Sequence, residues 1–145
     1  MIQIKNKIYI NWDDIKNMVN TIIDNIANEN IRKIVAISKG GFVPATIIAN
    51  KLNVPVYAIG IKSYDGMVSG EIKEYQSLPD DFDFADTLII DDIVDTGKTI
   101  YHIIDKYKIK TSTVIYALVG DDNSYYWNSV IDKKADNWYI FPWEQ

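Results

Sequence analysis

Residues Leu88–Ile100 read LIIDDIVDTGKTI and combine an apolar strand, two adjacent acids and a glycine-containing turn. The predicted strand ends at Asp91 and Asp92. The turn Asp95–Thr99 then opens a segment whose apolar residues recur at helical spacing, namely Ile100, Ile103, Ile104 and Tyr107. A strand joined to a helix by a short turn is the repeating unit of α/β proteins. This segment therefore predicts an α/β fold with polar groups gathered at the carboxyl end of a strand.

The turn Asp95–Thr99 has the composition of a phosphate site. Backbone N–H groups at the start of a helix and the two threonine hydroxyls donate hydrogen bonds to phosphate oxygens, and Gly97 lets the backbone approach an anion closely. Asp91 and Asp92 repel phosphate, but carboxylates accept hydrogen bonds from vicinal hydroxyls or hold hydrated magnesium. The combination predicts a sugar-phosphate site, although each residue taken alone is common in ordinary turns.

Two other phosphate-binding motifs do not match this segment. Gly97-Lys98-Thr99 has the sequence that ends a Walker A loop, which also requires a glycine five positions before Gly97. Position 92 is an aspartate, so a nucleotide hydrolase is disfavoured. No G-x-G-x-x-G occurs, which excludes the dinucleotide-binding fingerprint.

Strands and helices alternate along the rest of the chain. Asn11 and Asp14 have the positions of an N-cap and a first-turn acid, before a helix with the apolar face Ile15, Met18, Val19, Ile22, Ile23 and Ile26. Strands are predicted at Lys33–Ser38, Val54–Ile61, Thr87–Asp92 and Thr113–Leu118, with a second helix at residues 44–52. Because these strands are apolar nearly throughout, we expect a doubly wound parallel sheet, with ligands at its carboxyl edge.

Two segments break this alternation. Lys62–Phe84 is polar and long for a plain connection, as functional loops often are. The aromatic segment Asp136–Gln145 follows the last predicted core strand. We expect a small hood formed from the loop after the second core strand and the chain ends, within a single domain covering residues 1–145.

Composition indicates a globular cytoplasmic protein. The chain has 145 residues, 48% of them apolar, and no cysteine, so disulfides and thiolate metal sites are excluded. No apolar run reaches membrane-spanning length, and the start lacks the layout of a signal peptide. The net charge of −5 and a lone arginine, Arg32, argue against nucleic acid as a partner. A polyanionic substrate remains compatible if a divalent cation lies between carboxylates and phosphates.

Several segments resemble the type I phosphoribosyltransferase family. Leu88–Thr99 is similar to its ribose-phosphate signature, and Val35–Ala45 (VAISKGGFVPA) to its pyrophosphate loop. Other segments resemble the bacterial xanthine-guanine enzymes of that family, namely Asn11–Asp13, Ser63–Asp65 and the ending Trp138 with Pro142–Glu144. The resemblance follows the chain in order. It implies transfer of phosphoribosyl from phosphoribosyl pyrophosphate to a purine, with hypoxanthine, guanine or xanthine favoured.

The resemblance also implies residue roles. Asp91 and Asp92 would hold the ribose hydroxyls and Mg²⁺, and Asp95 would be the general acid/base facing purine N7. The 5′-phosphate would bind Asp95, Thr96, Gly97, Lys98 and Thr99. Pyrophosphate would bind Ser38, Lys39, Gly40 and Gly41, with the Ser38–Lys39 peptide a candidate cis bond. Ser63 and Tyr64 would lie on a loop over the site, which Lys73 would also reach. Trp138, Tyr139 and Leu118 would line the base subsite.

The base subsite departs from the family pattern. Leu118 takes the place of the lysine that reads the oxygen of a 6-oxopurine, so adenine or another base stays open. Asp121–Asn123 could read an amino group instead, and Lys133 or Lys134 could restore the missing contact. In addition, Gly70 stands at the position of a loop arginine, and Lys39 at that of another.

Other functions also stay open. A non-catalytic nucleotide-binding or RNA-binding regulator on the same fold is the principal alternative, although the pI of about 4.7 counts against RNA. A homodimer or homotetramer is expected by family analogy.

Overall fold

The computed structural model describes residues 1–63, 71–121 and 124–145. In chain order its elements are β1 Ile2–Ile4, β2 Lys7–Tyr9, α1 Trp12–Asn25, β3 Lys33–Ser38, α2 Phe42–Leu52, β4 Val56–Ser63, β5 Ile72–Gln76, β6 Thr87–Ile93, α3 Lys98–Tyr107, β7 Val114–Gly120, β8 Asn128–Asp132 and β9 Trp138–Ile140. A 3₁₀ helix at Pro142–Glu144 follows. None of the helices in these ranges has the length and apolar character needed to span a bilayer.

A six-stranded sheet in the order β5-β4-β3-β6-β7-β8 forms the centre of the molecule. All neighbouring pairs are parallel except β4 and β5. Successive residues of β3 alternate between two apolar clusters. Ile34 and Ala36 face the cluster that contains α1 and α2, whereas Val35 and Ile37 face the cluster that contains α3. Helices therefore cover both faces, and the predicted α/β parallel sheet is confirmed.

Most predicted elements are present, with small shifts at their ends. Strand β3 has the predicted bounds, whereas α2 begins at Phe42, two residues before its predicted start. Pro44 fits the first turn of α2, where backbone N–H groups lack helical partners. Asn11 caps α1 as predicted: its Oδ1 accepts from the Asp14 N–H at 2.8 Å, and Asp14 Oδ2 accepts from the Asn11 N–H at 2.9 Å. The polar edge strand β8 was missing from the prediction.

The chain ends form a second, three-stranded sheet in the order β1-β2-β9. This sheet is the predicted hood, and Ile8 and Tyr139 pack from it onto the main core. The loop after β4 was also expected to form part of this hood. In the described part of that loop, Ile72–Gln76 instead forms β5, which pairs with β4 at the edge of the main sheet. An added strand there protects the hydrogen-bonding groups of β4, which an open edge would expose.

Candidate functional site

Two loops that carry the predicted site residues meet in the structure: Ser38–Gly41, called the glycine loop below, and Asp91–Thr99. Strands β3 and β6 are parallel neighbours with Ala36 opposite Ile90, so their carboxyl ends lie side by side. The Asp92 carboxylate packs directly on Gly40, where an added Cβ would lie 2.0 Å from Asp92 Oδ2. A side chain at this position would displace that carboxylate. The Ser38–Lys39 peptide is cis, as the resemblance predicts.

Asp91 and Asp92 form a desolvated acidic pair. Asp91 Oδ1 accepts from the Asp92 N–H at 2.8 Å, and Asp92 Oδ1 accepts from the Ile93 N–H at 2.7 Å. Burial, followed by the charge of Asp92, raises the pKa of Asp91 well above its usual range, and burial also raises the pKa of Asp92. The fold therefore disfavours the charged forms of the two carboxylates unless a cation balances them.

This acidic pair suits a divalent cation that substrate oxygens help to bind. A cation would stabilise the charged carboxylates and reverse the effect of burial on their pKa. Across the described ranges, no group of three or more His, Asp or Glu side chains converges to enclose a metal. Mg²⁺ is commonly bound by one or two carboxylates together with substrate phosphates and water. The donor set therefore fits Mg²⁺ bound jointly with a substrate.

The conformation of the turn Asp95–Thr99, predicted to bind phosphate and called the phosphate turn below, depends on Gly97. This residue precedes α3 with a φ of 86°, and its carbonyl accepts from the Tyr101 N–H at 2.9 Å. An added Cβ would lie 2.7 Å from Trp127 Cη2 and 2.9 Å from Tyr101 Cε2. Trp127 is buried, so its ring has little freedom to move away. Both the left-handed backbone and the aromatic packing require glycine here.

We expect Gly97→Ala to lower the free energy of unfolding by about 1–3 kcal/mol, because the side chain is strained at positive φ and collides with Trp127. Urea unfolding measures this loss. Gly120→Ala is the matched control, since the added Cβ would lie 3.4 Å from its nearest neighbour. Equal losses in the two variants would contradict the role assigned to the Gly97 backbone.

A cavity of about 580 Å³ opens beside the phosphate turn. Its wall includes Asp91, the turn Asp95–Thr99, Lys133 and Trp138. Lys133 Nζ lies 3.0 Å from Asp95 Oδ1, and the Lys133 side chain is only 15% exposed whereas that of Asp95 is 72% exposed. The Lys133 N–H also donates to the Gly120 carbonyl at 2.8 Å, which fixes its backbone against β7.

Two of the three residues predicted to bind the base lie at the cavity, and the third does not. Trp138 is 67% exposed and lies at the cavity. Tyr139 lines the same cavity but is buried, and its hydroxyl accepts from the Lys134 N–H at 3.2 Å. Leu118 is fully buried in the core cluster with α1 and α2 and is not part of the cavity wall.

The predicted loop residues are only partly described. Ser63 is the last residue of β4. Lys73 is exposed on β5, opposite Lys62, and is not part of the cavity wall. Tyr64, like the pair at positions 122 and 123, lies outside the described residues.

Two residues beside the site had no predicted role. Trp127 packs on Gly97, and Tyr75 contacts Ser38 through its hydroxyl. A third, Lys133, was only one of several alternatives. Trp127 is next to the unpredicted strand β8, and Lys133 directly follows it, so no periodic pattern marked their positions.

Comparison with known proteins places this geometry in context. The profile of the phosphoribosyl transferase domain family matches residues 6–144. The xanthine-guanine phosphoribosyltransferase of Chromohalobacter salexigens is 29% identical over 136 residues, which cover 93% of this chain and 82% of that protein. Its namesake from Idiomarina loihiensis is 26% identical, with 94% and 86% covered. The crystal structure of a purine phosphoribosyltransferase from Pyrococcus horikoshii has the same fold, with a TM-score of 0.81, 23% identity and coverage of 97% and 95%.

Proposed function

Since the chain belongs to the phosphoribosyl transferase domain family, we propose that it transfers the 5-phosphoribosyl group from phosphoribosyl pyrophosphate to a purine base. The products are a nucleoside monophosphate and pyrophosphate. One observation carries the proposal: the acidic pair Asp91–Asp92 lies between the glycine loop, which Asp92 contacts at Gly40, and the phosphate turn that begins four residues after Asp91. The relatives' names and the cavity beside the turn support it.

The arrangement suits the chemistry of the sugar. With the 5′-phosphate at Asp95–Thr99 and the ribose hydroxyls at Asp91 and Asp92, the anomeric carbon would face the Ser38–Gly41 loop. Pyrophosphate leaves from that carbon and generates an oxocarbenium-like sugar, which nearby carboxylates stabilise more than the neutral ground state. Mg²⁺ held by Asp91 and Asp92 would neutralise charge on the departing pyrophosphate.

Lys133 supports a 6-oxopurine as the base. We assign Asp95 to purine N7, where it would exchange a proton with the base during transfer. On the same edge of a purine, the group next to N7 is the oxygen of guanine or the amino group of adenine. The Lys133 ammonium lies 3.0 Å from Asp95 Oδ1 and only donates hydrogen bonds. It therefore matches the oxygen and opposes the amino group, and it supplies the contact that Leu118 cannot make.

Trp138 provides a surface for the flat base. Its ring is 67% exposed at the cavity, and a purine that covers it would remove apolar surface from water. We propose that Trp138 stacks on the base while Lys133 selects the atom at position 6. These assignments give an enzyme of purine salvage.

The test is pyrophosphate release with phosphoribosyl pyrophosphate and Mg²⁺, using guanine, hypoxanthine, xanthine, adenine, uracil and orotate in parallel. Turnover is expected with 6-oxopurines, weakly or not at all with adenine and the pyrimidines, and not after chelation by EDTA. Adenine as the best substrate would overturn the role of Lys133. Tight binding of phosphoribosyl pyrophosphate without turnover on any base would favour the non-catalytic regulator.

A further inference from the structure

The side chain of Tyr75 crosses an entire strand to reach the glycine loop. Its hydroxyl lies 2.8 Å from Ser38 Oγ, although Tyr75 is on β5 and Ser38 ends β3, with β4 between them. Ser38 is the residue whose peptide to Lys39 is cis. The contact therefore joins an edge strand to the first residue of the loop assigned to pyrophosphate.

Two features of the backbone make this contact possible. Between β4 and β5 the register shifts at Gly60: Gly60 is opposite Gln76, whereas Ile61 is opposite Glu74. Tyr75 is thus the additional residue of a β-bulge, a device that redirects a side chain next to functional sites. Gly60 is also the partner of Ser38 on the other side of β4. A Cβ at Gly60 would lie 2.3 Å from Tyr75 Cε2, so the ring occupies the space that a side chain would fill.

The neighbouring residue of β5 is anchored on a second element. The Glu74 side chain is only 7% exposed and forms an ion pair with Lys106 of α3. It also accepts hydrogen bonds from the Tyr107 hydroxyl at 3.1 Å and from the Ser77 hydroxyl at 2.5 Å. Strand β5 is therefore fastened to the helix that begins at the phosphate turn, and Tyr75 extends from this fixed strand to Ser38.

We propose that Tyr75 is a positioning residue for the pyrophosphate loop, redirected by the β-bulge and given room by Gly60. The inference rests on the proposed function, because it takes Ser38–Gly41 as the pyrophosphate subsite. Tyr75 holds Ser38 through its hydroxyl, so the loop is ordered before the leaving group binds. The Tyr75 hydroxyl contacts Ser38 and not the phosphate turn, so its removal is expected to leave binding at that turn unchanged.

Calorimetric titration of Tyr75→Phe with magnesium pyrophosphate and with ribose 5-phosphate tests this role. We expect about five- to tenfold weaker binding of pyrophosphate, the effect of one lost hydrogen bond, and unchanged binding of ribose 5-phosphate. In turnover assays the KM for phosphoribosyl pyrophosphate rises by a similar factor, with a smaller change in kcat. Tyr57→Phe is the matched control, because Tyr57 packs on Phe82 at the opposite end of β4.

Gly60→Ala provides a second test that removes no polar group. It displaces the Tyr75 ring, so the same selective loss is expected, and the double variant should lose no more than either single variant. Equal weakening of both ligands, or unchanged pyrophosphate binding in Tyr75→Phe, would overturn the positioning role. Failure of the wild-type chain to bind pyrophosphate would overturn this role together with the proposed function. Binding without turnover on any base would overturn the proposed function alone.

Discussion

Asp91→Asn combined with Asp92→Asn is expected to lower kcat by about 10³-fold or more while the chain stays folded. The two carboxylates would hold the ribose hydroxyls and Mg²⁺ and would face positive charge that develops on the sugar. Asparagine keeps the oxygens that accept from the Asp92 and Ile93 N–H groups but removes the charge. Initial rates of pyrophosphate release at saturating substrate measure the effect.

Thermal unfolding separates this loss of activity from a loss of structure. In the metal-free protein, burial raises the pKa of both acids, so their charged forms destabilise the fold at pH values above the unfolded pKa. This destabilisation begins to shrink as the pH falls below the raised pKa and is gone below the unfolded pKa. The double variant should therefore melt at a higher temperature than the wild type at pH 7, and the difference should shrink in acid.

A second pair of adjacent acids provides the control for this experiment. Asp80 and Asp81 are exposed and are not part of the cavity wall, so Asp80→Asn with Asp81→Asn should change neither kcat nor the metal-free melting temperature appreciably. If the Asp91 and Asp92 variant retained activity, or lost it only because it melted earlier, the assigned role of the pair would be refuted.

Lys133→Met is expected to reduce kcat/KM for guanine and hypoxanthine by about 10²-fold, the effect of losing one charge-assisted hydrogen bond to the base. Methionine retains the apolar stem that fills the cavity wall and removes only the ammonium. Adenine should lose much less or even gain, because its amino group no longer faces a donor. The ratio of kcat/KM between guanine and adenine is the decisive quantity.

Lys134→Met is the neighbouring control, since Lys134 is exposed whereas Lys133 is largely buried. It should leave the ratio between the two bases unchanged. If Lys133→Met lowered kcat/KM by the same factor for every base, this lysine would serve only to hold Asp95. If kcat/KM did not change for any base, other residues of the cavity would select the base.

Features that depend on interactions between residues close in sequence could be predicted. The Asn11 and Asp14 cap, the apolar run of β3 and the glycine before α3 each depend on residues close together in sequence. Strands β5 and β8 were missed because they are polar edge strands, whose pairing depends on an available neighbour and not on their own pattern. The family resemblance implied that Leu118 lines the base subsite, whereas the alternation of side chains along β7 places it in the core cluster with α1 and α2.

The strand, acidic pair, turn and helix of residues 88–100 follow from local sequence, because hydrophobic periodicity and the backbone freedom of Gly97 act over a few residues. Which distant side chains complete the site depends instead on how the sheet is assembled. Lys133 reaches Asp95 because β8 pairs with β7. Tyr75 reaches Ser38 because the β-bulge of β5 lies beside Gly60 of β4, and Gly60 pairs with Ser38 of β3. Such contacts follow from strand order and register, which depend on how the whole sheet buries its apolar surface.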